Sequence, residues 1–294
     1  MAAVVEQVAP DPAGLTGLVA GALAYDGDEA AAMLDRLSVP PDGRRTAWLR
    51  AGDDGLALVS VNDKDPAVGH LDLLAVAPGA RRRGTGTALV RAAEETLAGL
   101  GVREVRWAGN PPCYVLPGVD VRYTPALCLA TSLGYEQYRT AQNMTTDLAT
   151  ADLSTVDDEE RLAAQGVSIR RAVPDELPAL RAWAIEAFNA SWAWEIEQSV
   201  VRPDAACHVA WRDGAVLAFA GHGANRPSWF GPMGTDPAAR NLGLGRVLLR
   251  RCLADQRDAG LDRAQIGWVG PIPFYSRTVG ARVERIFWLY RKEI

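Results

Sequence analysis

The chain has 294 residues, 48% of them apolar and 23% charged, with a formal net charge of −5. That length allows one large domain or two of ordinary size. The composition excludes a disordered or fibrous chain, no run approaches the ~18 apolar residues of a membrane span, and no long basic tract offsets the acidic balance to suit a nucleic-acid partner.

In chain order, residues 2–7 suit a strand, and 12–24 and 28–37 suit helices with apolar faces. Strand-like runs follow at 46–51, at 55–61 after the turn signal Asp53-Asp54-Gly55, and at 69–76. A glycine-rich loop then opens an amphipathic helix over 88–101, ending at Gly101. A strand at 103–109, a Pro/Gly-rich loop from Asn110 to Asp120, a short helix at 124–134 and two further strands reach Leu148. Residues 149–166 are polar and acidic and read as a linker with one helical turn from Asp158 to Ala163.

The order then repeats. A strand at 167–172 precedes a helix at 174–188 with an early proline and a second helix over Ala190–Ser199. A hairpin over 206–222 turns at Asp213-Gly214. A strand at 228–235, a helix at 244–260, a strand at 263–269 and a short helix at 271–280 follow, and 281–292 forms two closing strands or one hairpin. Helices between strands predict a mixed α/β sheet in each half.

The repeat has a register. Arg81 and Arg240, Gly84 and Gly243, Gly86 and Gly245, and Pro78 and Pro237 all stand 159 positions apart. Taken once, strand-P-x-x-R-x-x-G-x-G-helix is compatible with a mere tight turn; twice in register it points to a shared task. Successive amides at a helix start cradle an anion, and the helix dipole favours it. Glycines let the backbone approach a diphosphate, and an arginine adds charge-assisted hydrogen bonds. A Rossmann fingerprint needs a third glycine where Leu89 and Leu248 stand. The Gly-Lys-Ser/Thr of a P-loop is absent.

R-x-x-G-x-G between strand and helix resembles the acetyl-CoA diphosphate loop of the GNAT superfamily, and the later FYSRTVGARV resembles the segment that closes that fold. The resemblance covers nearly the whole chain outside the linker. It implies two GNAT domains in tandem, 1–148 and 167–294, each a mixed sheet splayed between its central strands. Acetyl-CoA is the implied cosubstrate, held in the second copy by Met233, Gly234 and Thr235 on the strand and by Arg240, Asn241, Leu242, Gly243, Leu244, Gly245 and Arg246 at the loop. The equivalents in the first copy are Arg81, Arg82, Arg83, Gly84, Thr85 and Gly86.

The resemblance assigns the chemistry to the second copy. Tyr275 precedes Gly280 by five positions, and Leu129 takes that place before Gly134. In the family this tyrosine protonates the departing thiolate, which leucine cannot do; the first copy is therefore expected to be non-catalytic. Its loop after the helix is also longer: Gly86 and Gly134 are 48 positions apart, Gly245 and Gly280 only 35. That extra loop suits a cover for a site, a binding segment of its own, or interface packing.

Candidate bases for the attacking amine are Glu195, Glu197 and Asp236. Trp192, Trp194 and Trp268, with Trp229, concentrate in the second half, and aromatic faces stack on sugar rings. The tandem scaffold is similar to the glucosamine and glucosaminide N-acetyltransferases, which implies an amino-sugar acceptor. A mycothiol synthase acting on a glucosamine-linked cysteine, an aminoglycoside or peptide acetyltransferase, and a non-catalytic acetyl-CoA sensor stay open. The four cysteines and three histidines show no metal-ligand spacing, so no metal is expected. A cytoplasmic protein is expected, either a monomer with pseudo-dimeric halves or a homodimer.

Overall fold

The computed structural model describes residues 3–294; Ala2, at the start of the expected opening strand, lies outside them. The chain divides into two compact units. Unit 1 comprises the residues up to Ala141 together with Arg285–Ile294, and unit 2 comprises Gln142–Glu284.

In chain order the elements are β1 (Glu6–Val8), α1 (Pro12–Ala22), α2 (Ala30–Ser38), β2 (Arg44–Ala51), β3 (Gly55–Asn62), β4 (Asp65–Val76), α3 (Thr85–Gly99), β5 (Glu104–Trp107), β6 (Val119–Asp120), α4 (Thr124–Ser132) and β7 (Glu136–Asp147). They continue with α5 (Val156–Ala163), β8 (Ser168–Arg171), α6 (Leu177–Ala187), α7 (Ala190–Val201), β9 (Ala206–Arg212), β10 (Ala215–His222), β11 (Trp229–Thr235), α8 (Leu244–Asp258), β12 (Arg263–Ile266), α9 (Ile272–Val279) and β13 (Arg282–Glu293).

In unit 1, β1 to β5 lie side by side in chain order and the last part of β13 closes against β5. Neighbours are antiparallel except β4 and β5, which run parallel. Unit 2 repeats the plan: β8, β9, β10 and β11 are antiparallel neighbours, β11 and β12 are parallel, and the last part of β7 pairs antiparallel with β12. The 159-residue spacing extends well beyond the loop, since α3 and α8, and likewise β5 and β12, begin and end in matching register.

In each unit the parallel pair parts. Pairing of β4 with β5 stops at Leu71 opposite Trp107, while β4 runs on to Val76. Pairing of β11 with β12 stops at Phe230 opposite Ile266, and β11 continues to Thr235. A bulge sits at each parting. Leu58 faces Leu73 and Val59 faces Leu71, leaving Asp72 as the extra residue of β4. In unit 2 Ala220 faces Met233 and His222 faces Phe230, with Gly231 and Pro232 between.

The cores follow from amphipathic faces. Leu89, Val90, Ala93 and Leu97 of α3 pack on Val59, Val61 and Leu71. Val247, Leu248, Cys252 and Leu253 of α8 pack on Ala218, Ala220 and Phe230.

Three stretches fold otherwise than their sequence suggests. Residues 136–147 and 282–293 are each one continuous strand, where two strands or a hairpin were expected. Neither contains a Gly or Pro to turn the chain. Each strand is shared by the two units: β7 up to Ala141 and β13 from Arg285 belong to unit 1, the remainders to unit 2. A chain divided at 148 and 167 therefore misses both exchanges. The segment 149–166 is more than a tether. It forms α5, and Leu153 and Leu162 enter the unit 2 core, Leu162 fully buried. Among the described residues no helix is long and apolar enough to cross a membrane.

Candidate active site

In unit 2, β11 leads through a turn at Pro237–Leu242 into Gly243, whose φ of +80° suits glycine, and α8 starts at Leu244. The first amides of α8 have no partner within the helix. Gly245 faces β11 and α9. A Cβ there would lie 3.5 Å from Cζ of Phe274 and 3.7 Å from Cε of Met233. The loop, the strand residue Met233 and Phe274 of α9 therefore meet at one point, and Tyr275 packs against Phe274.

Tyr275 is buried and makes edge contacts with Phe230 and Phe274, ring centroids 6.1 and 5.0 Å away. Burial pushes its phenol up to about 12, so it stays protonated at neutral pH.

The three candidate bases fall into three settings. Asp236 caps the turn it starts, its Oδ1 accepting from the amide of Ala238 at 2.8 Å. Glu197 pairs with Arg181 at 2.9 Å on a partly exposed surface. Glu195, two residues away on α7, points into the protein and is 7% exposed. Desolvation pushes its carboxyl up to about 8, against the pull of a 2.8 Å hydrogen bond from Nδ2 of Asn225. In the repeat's register Glu195 stands where Arg36, also buried, stands in unit 1.

The tryptophans are dispersed. Trp192 is packed against Phe188 and Phe219, with centroids 4.8 and 6.0 Å away. Trp194 is half-buried on α7. Trp268 follows β12 with a left-handed φ of +46°, its amide donating to Asn143 Oδ1 at 2.9 Å. Trp229 is buried on β11 beneath Arg226. Trp192 is thus largely committed to packing.

The arginines at the loop divide as well. Arg240 is exposed. Arg246 donates to Asp158 Oδ1 at 2.5 Å, and Arg161 donates to that same oxygen at 3.1 Å and to the carbonyl of Leu242 at 3.1 Å. Burial penalises the Asp158 charge, but the two arginines outweigh it and hold the carboxyl below its ordinary range. Asp158 and Arg161 lie in the segment read as a linker. The trace they leave in the sequence is opposite charge three residues apart on a helix.

Unit 1 has the same loop, with Gly84 at φ +88° before α3. It also has a cleft of about 520 Å³ running from Arg82, Gly84 and Gly86 along β4 to Trp107 and Tyr123. Arg81 lines this cleft, but its guanidinium is held by the carbonyls of Ala22 and Val76 at 3.0 and 3.3 Å. Leu129, standing where Tyr275 stands in unit 2, brings Cδ2 within 3.0 Å of where a Cβ on Gly86 would be.

Asp72, at the bulge, lines the cleft and accepts from Ser60 Oγ at 2.5 Å and Asn110 Nδ2 at 3.0 Å. Its counterpart in unit 2 is Gly231. The extra loop after β5 packs within unit 1, where Arg44 donates to carbonyls of Asn110, Pro111 and Cys113 at 2.7–2.9 Å. Among the described residues no group of His, Cys, Asp or Glu is placed to hold a metal ion.

The family model of the acetyltransferase (GNAT) family matches residues 16–113 and 171–280. The chain belongs to the GNAT family. It is a tandem GNAT acetyltransferase with one family region in each half, and acetyl-CoA is the acetyl donor of that family. A mycothiol acetyltransferase of Geodermatophilus obscurus is 32% identical over 280 residues, covering 85% of this chain and 84% of the relative. Among solved structures, a tandem GNAT protein from the clavulanic acid biosynthesis pathway matches with a TM-score of 0.70 at 18% identity, over 99% of this chain and 98% of that one. A glucosamine N-acetyltransferase region of a fungal multi-domain GH3 β-N-acetylglucosaminidase matches with a TM-score of 0.73 at 18% identity, and this GNAT chain spans 38% of that protein.

Proposed function

We propose that the protein transfers an acetyl group from acetyl-CoA to the primary amine of a cysteine joined to glucosamine, with the chemistry in unit 2. The 32% identity to a mycothiol acetyltransferase, which extends along 85% of the chain, carries the choice of acceptor. The likeness to the glucosamine enzyme, at 18% identity, speaks for the fold alone. The two acceptors share a glucosamine ring and differ in which nitrogen is acylated.

In this reading the diphosphate lies on the amides that start α8, and pantetheine enters the gap beside Met233 and Gly245. The amine attacks the thioester carbonyl, a C–N bond forms and the C–S bond breaks. Glu195 in its carboxylate form receives the proton released by the amine, and Tyr275 gives its proton to the leaving sulfur. Both groups have the protonation behaviour these roles need: a carboxyl poised near 8 and a phenol protonated throughout the neutral range. Backbone amides from Met233 to Thr235 supply the carbonyl polarisation.

The experiment is a thiol-release screen over a cysteine–glucosamine conjugate, free glucosamine, chitosan oligomers, aminoglycosides and peptides. Preferred turnover of the conjugate is expected. Turnover confined to free glucosamine or to peptides overturns the choice of acceptor, and binding of acetyl-CoA without thiol release from any amine overturns the enzyme reading.

A further inference from the structure

The helix α5, which precedes β8, is fastened to α8 of unit 2. Leu162 is buried in the unit 2 core. Glu159 pairs with Arg251 of α8, and Arg250 donates to the carbonyl of Ser154 at 2.8 Å. These ties hold one turn of α5 over the glycine loop. Nη2 of Arg161 would sit 3.4 Å from a Cβ on Gly243, closer than any other heavy atom outside the loop's own neighbouring residues. On the far side, Arg246 rises from the first turn of α8.

Between the two guanidiniums is one anionic oxygen, Oδ1 of Asp158, 2.5 Å from Nη2 of Arg246 and 3.1 Å from Nη2 of Arg161. The amide of Arg246 donates to the carbonyl of Gly243 at 3.2 Å; two converging guanidiniums beside the remaining helix-start amides, those of Leu244 and Gly245, are the chemistry of a phosphate site. The carboxylate fills it as an internal anion. Both arginines are about half exposed, at 43% and 47%, while the side chain of Asp158 between them is 14% exposed. A phosphate group carries more charge and more acceptor oxygens than this carboxylate and competes for the same two guanidiniums.

We propose that Arg161 and Arg246 form an anion clamp that takes a phosphate group of acetyl-CoA, and that Asp158 is the internal carboxylate this phosphate displaces. The proposal rests on unit 2 being the acetyl-CoA site. The phosphate is either the diphosphate or the ribose 3′-phosphate, which share this chemistry.

The test is steady-state kinetics of the full chain with acetyl-CoA and with acetyl-dephospho-CoA. Arg161→Ala is expected to raise KM for acetyl-CoA about tenfold with kcat unchanged. Asp158→Asn, which removes the competing anion, is expected to lower it. If the 3′-phosphate is the ligand, Arg161→Ala abolishes the KM difference between the two donors; if it is the diphosphate, KM rises equally for both. An unchanged KM in Arg161→Ala, or a rise in both variants together, overturns the clamp and leaves α5 a structural brace. Should Arg161→Ala not fold, Arg161→Gln keeps the stem and removes the charge. Tyr275→Phe separates the two failures: if it lowers kcat while Arg161→Ala leaves KM unmoved, the clamp alone has failed. If Tyr275→Phe is also silent, unit 2 is not the reaction site.

Discussion

Asn225 donates from Nδ2 to Oε1 of Glu195 across 2.8 Å, in a setting that leaves the glutamate 7% exposed. A hydrogen bond to a carboxylate favours its ionised form, and burial opposes it. Burial wins, and the group titrates near 8, where an ordinary glutamate titrates near 4.5.

Glu195→Gln should therefore lower kcat/KM about 10²-fold and remove an ascending limb centred near pH 8 from its pH profile. The same shift fixes the sign of a stability effect. The folded-state value is raised, so the contribution of Glu195 is full below about 4.5 and is lost as pH rises toward 8. Glu195→Gln should thus unfold no earlier than the parent protein at pH 9. Thermal melts at pH 6 and 9, alongside initial rates, check both statements.

Tyr275→Phe keeps the ring contacts with Phe230 and Phe274 and deletes only the proton. Turnover should fall about 10²-fold while KM for acetyl-CoA stays within about twofold. With the phenol pushed to about 12, no descending limb from it should appear below pH ~11. A pH–rate series on parent and variant reads this directly.

Gly243→Asp with Gly245→Asp sets two carboxylates against the expected diphosphate, one of them at a φ of +80°. Thiol release should stop. Gly84→Asp with Gly86→Asp, at the equivalent unit 1 positions, should leave turnover in place. Circular dichroism of both proteins separates lost cosubstrate binding from lost folding, since a Cβ at Gly86 also meets Leu129 at 3.0 Å.

Asp255 of α8 lies 2.6 Å from Nε2 of His208, 3.6 Å from Nε2 of His222 and 2.8 Å from Arg171. Burial disfavours its charge, but these three partners hold the carboxyl far below its ordinary range. Its stabilising contribution is therefore present above about pH 3.8 and is lost on acidification below that. Asp255→Asn should lower Tm at pH 7 by several degrees and narrow the gap to the parent below pH 3, measured by thermal melts across that range.

What could be read from the sequence was what depends on local backbone demand. The first glycine of each loop was legible because a left-handed φ leaves few residue choices, and the place of Tyr275 on a short helix because Gly280 ends it. Which candidate carboxylate is buried was not legible. Glu195 and Glu197 differ by two positions, which on a helix face different sides, and only packing decides which side is interior. Asp72 was missed because a bulge is a property of register between strands. Arg161 was missed because the helical turn it stands on carries a single buried leucine in a polar segment, so the segment read as a linker. The sharing of β7 and β13 was missed because nothing local marks where the residues of one unit give way to those of the next.

That sharing bears on how the protein is made. Arg285 is buried between Asp26 and Asp120, at 2.6 Å from each, and β13 closes the edge of unit 1 beside β5. These residues leave the ribosome only after all of unit 2 has been synthesised. The usual order, in which an N-terminal domain finishes folding first, is denied to this chain. Until then unit 1 keeps an open β5 edge, and Asp26 and Asp120 lack the guanidinium of Arg285, so a translational stall inside unit 2 exposes that edge to unwanted pairing.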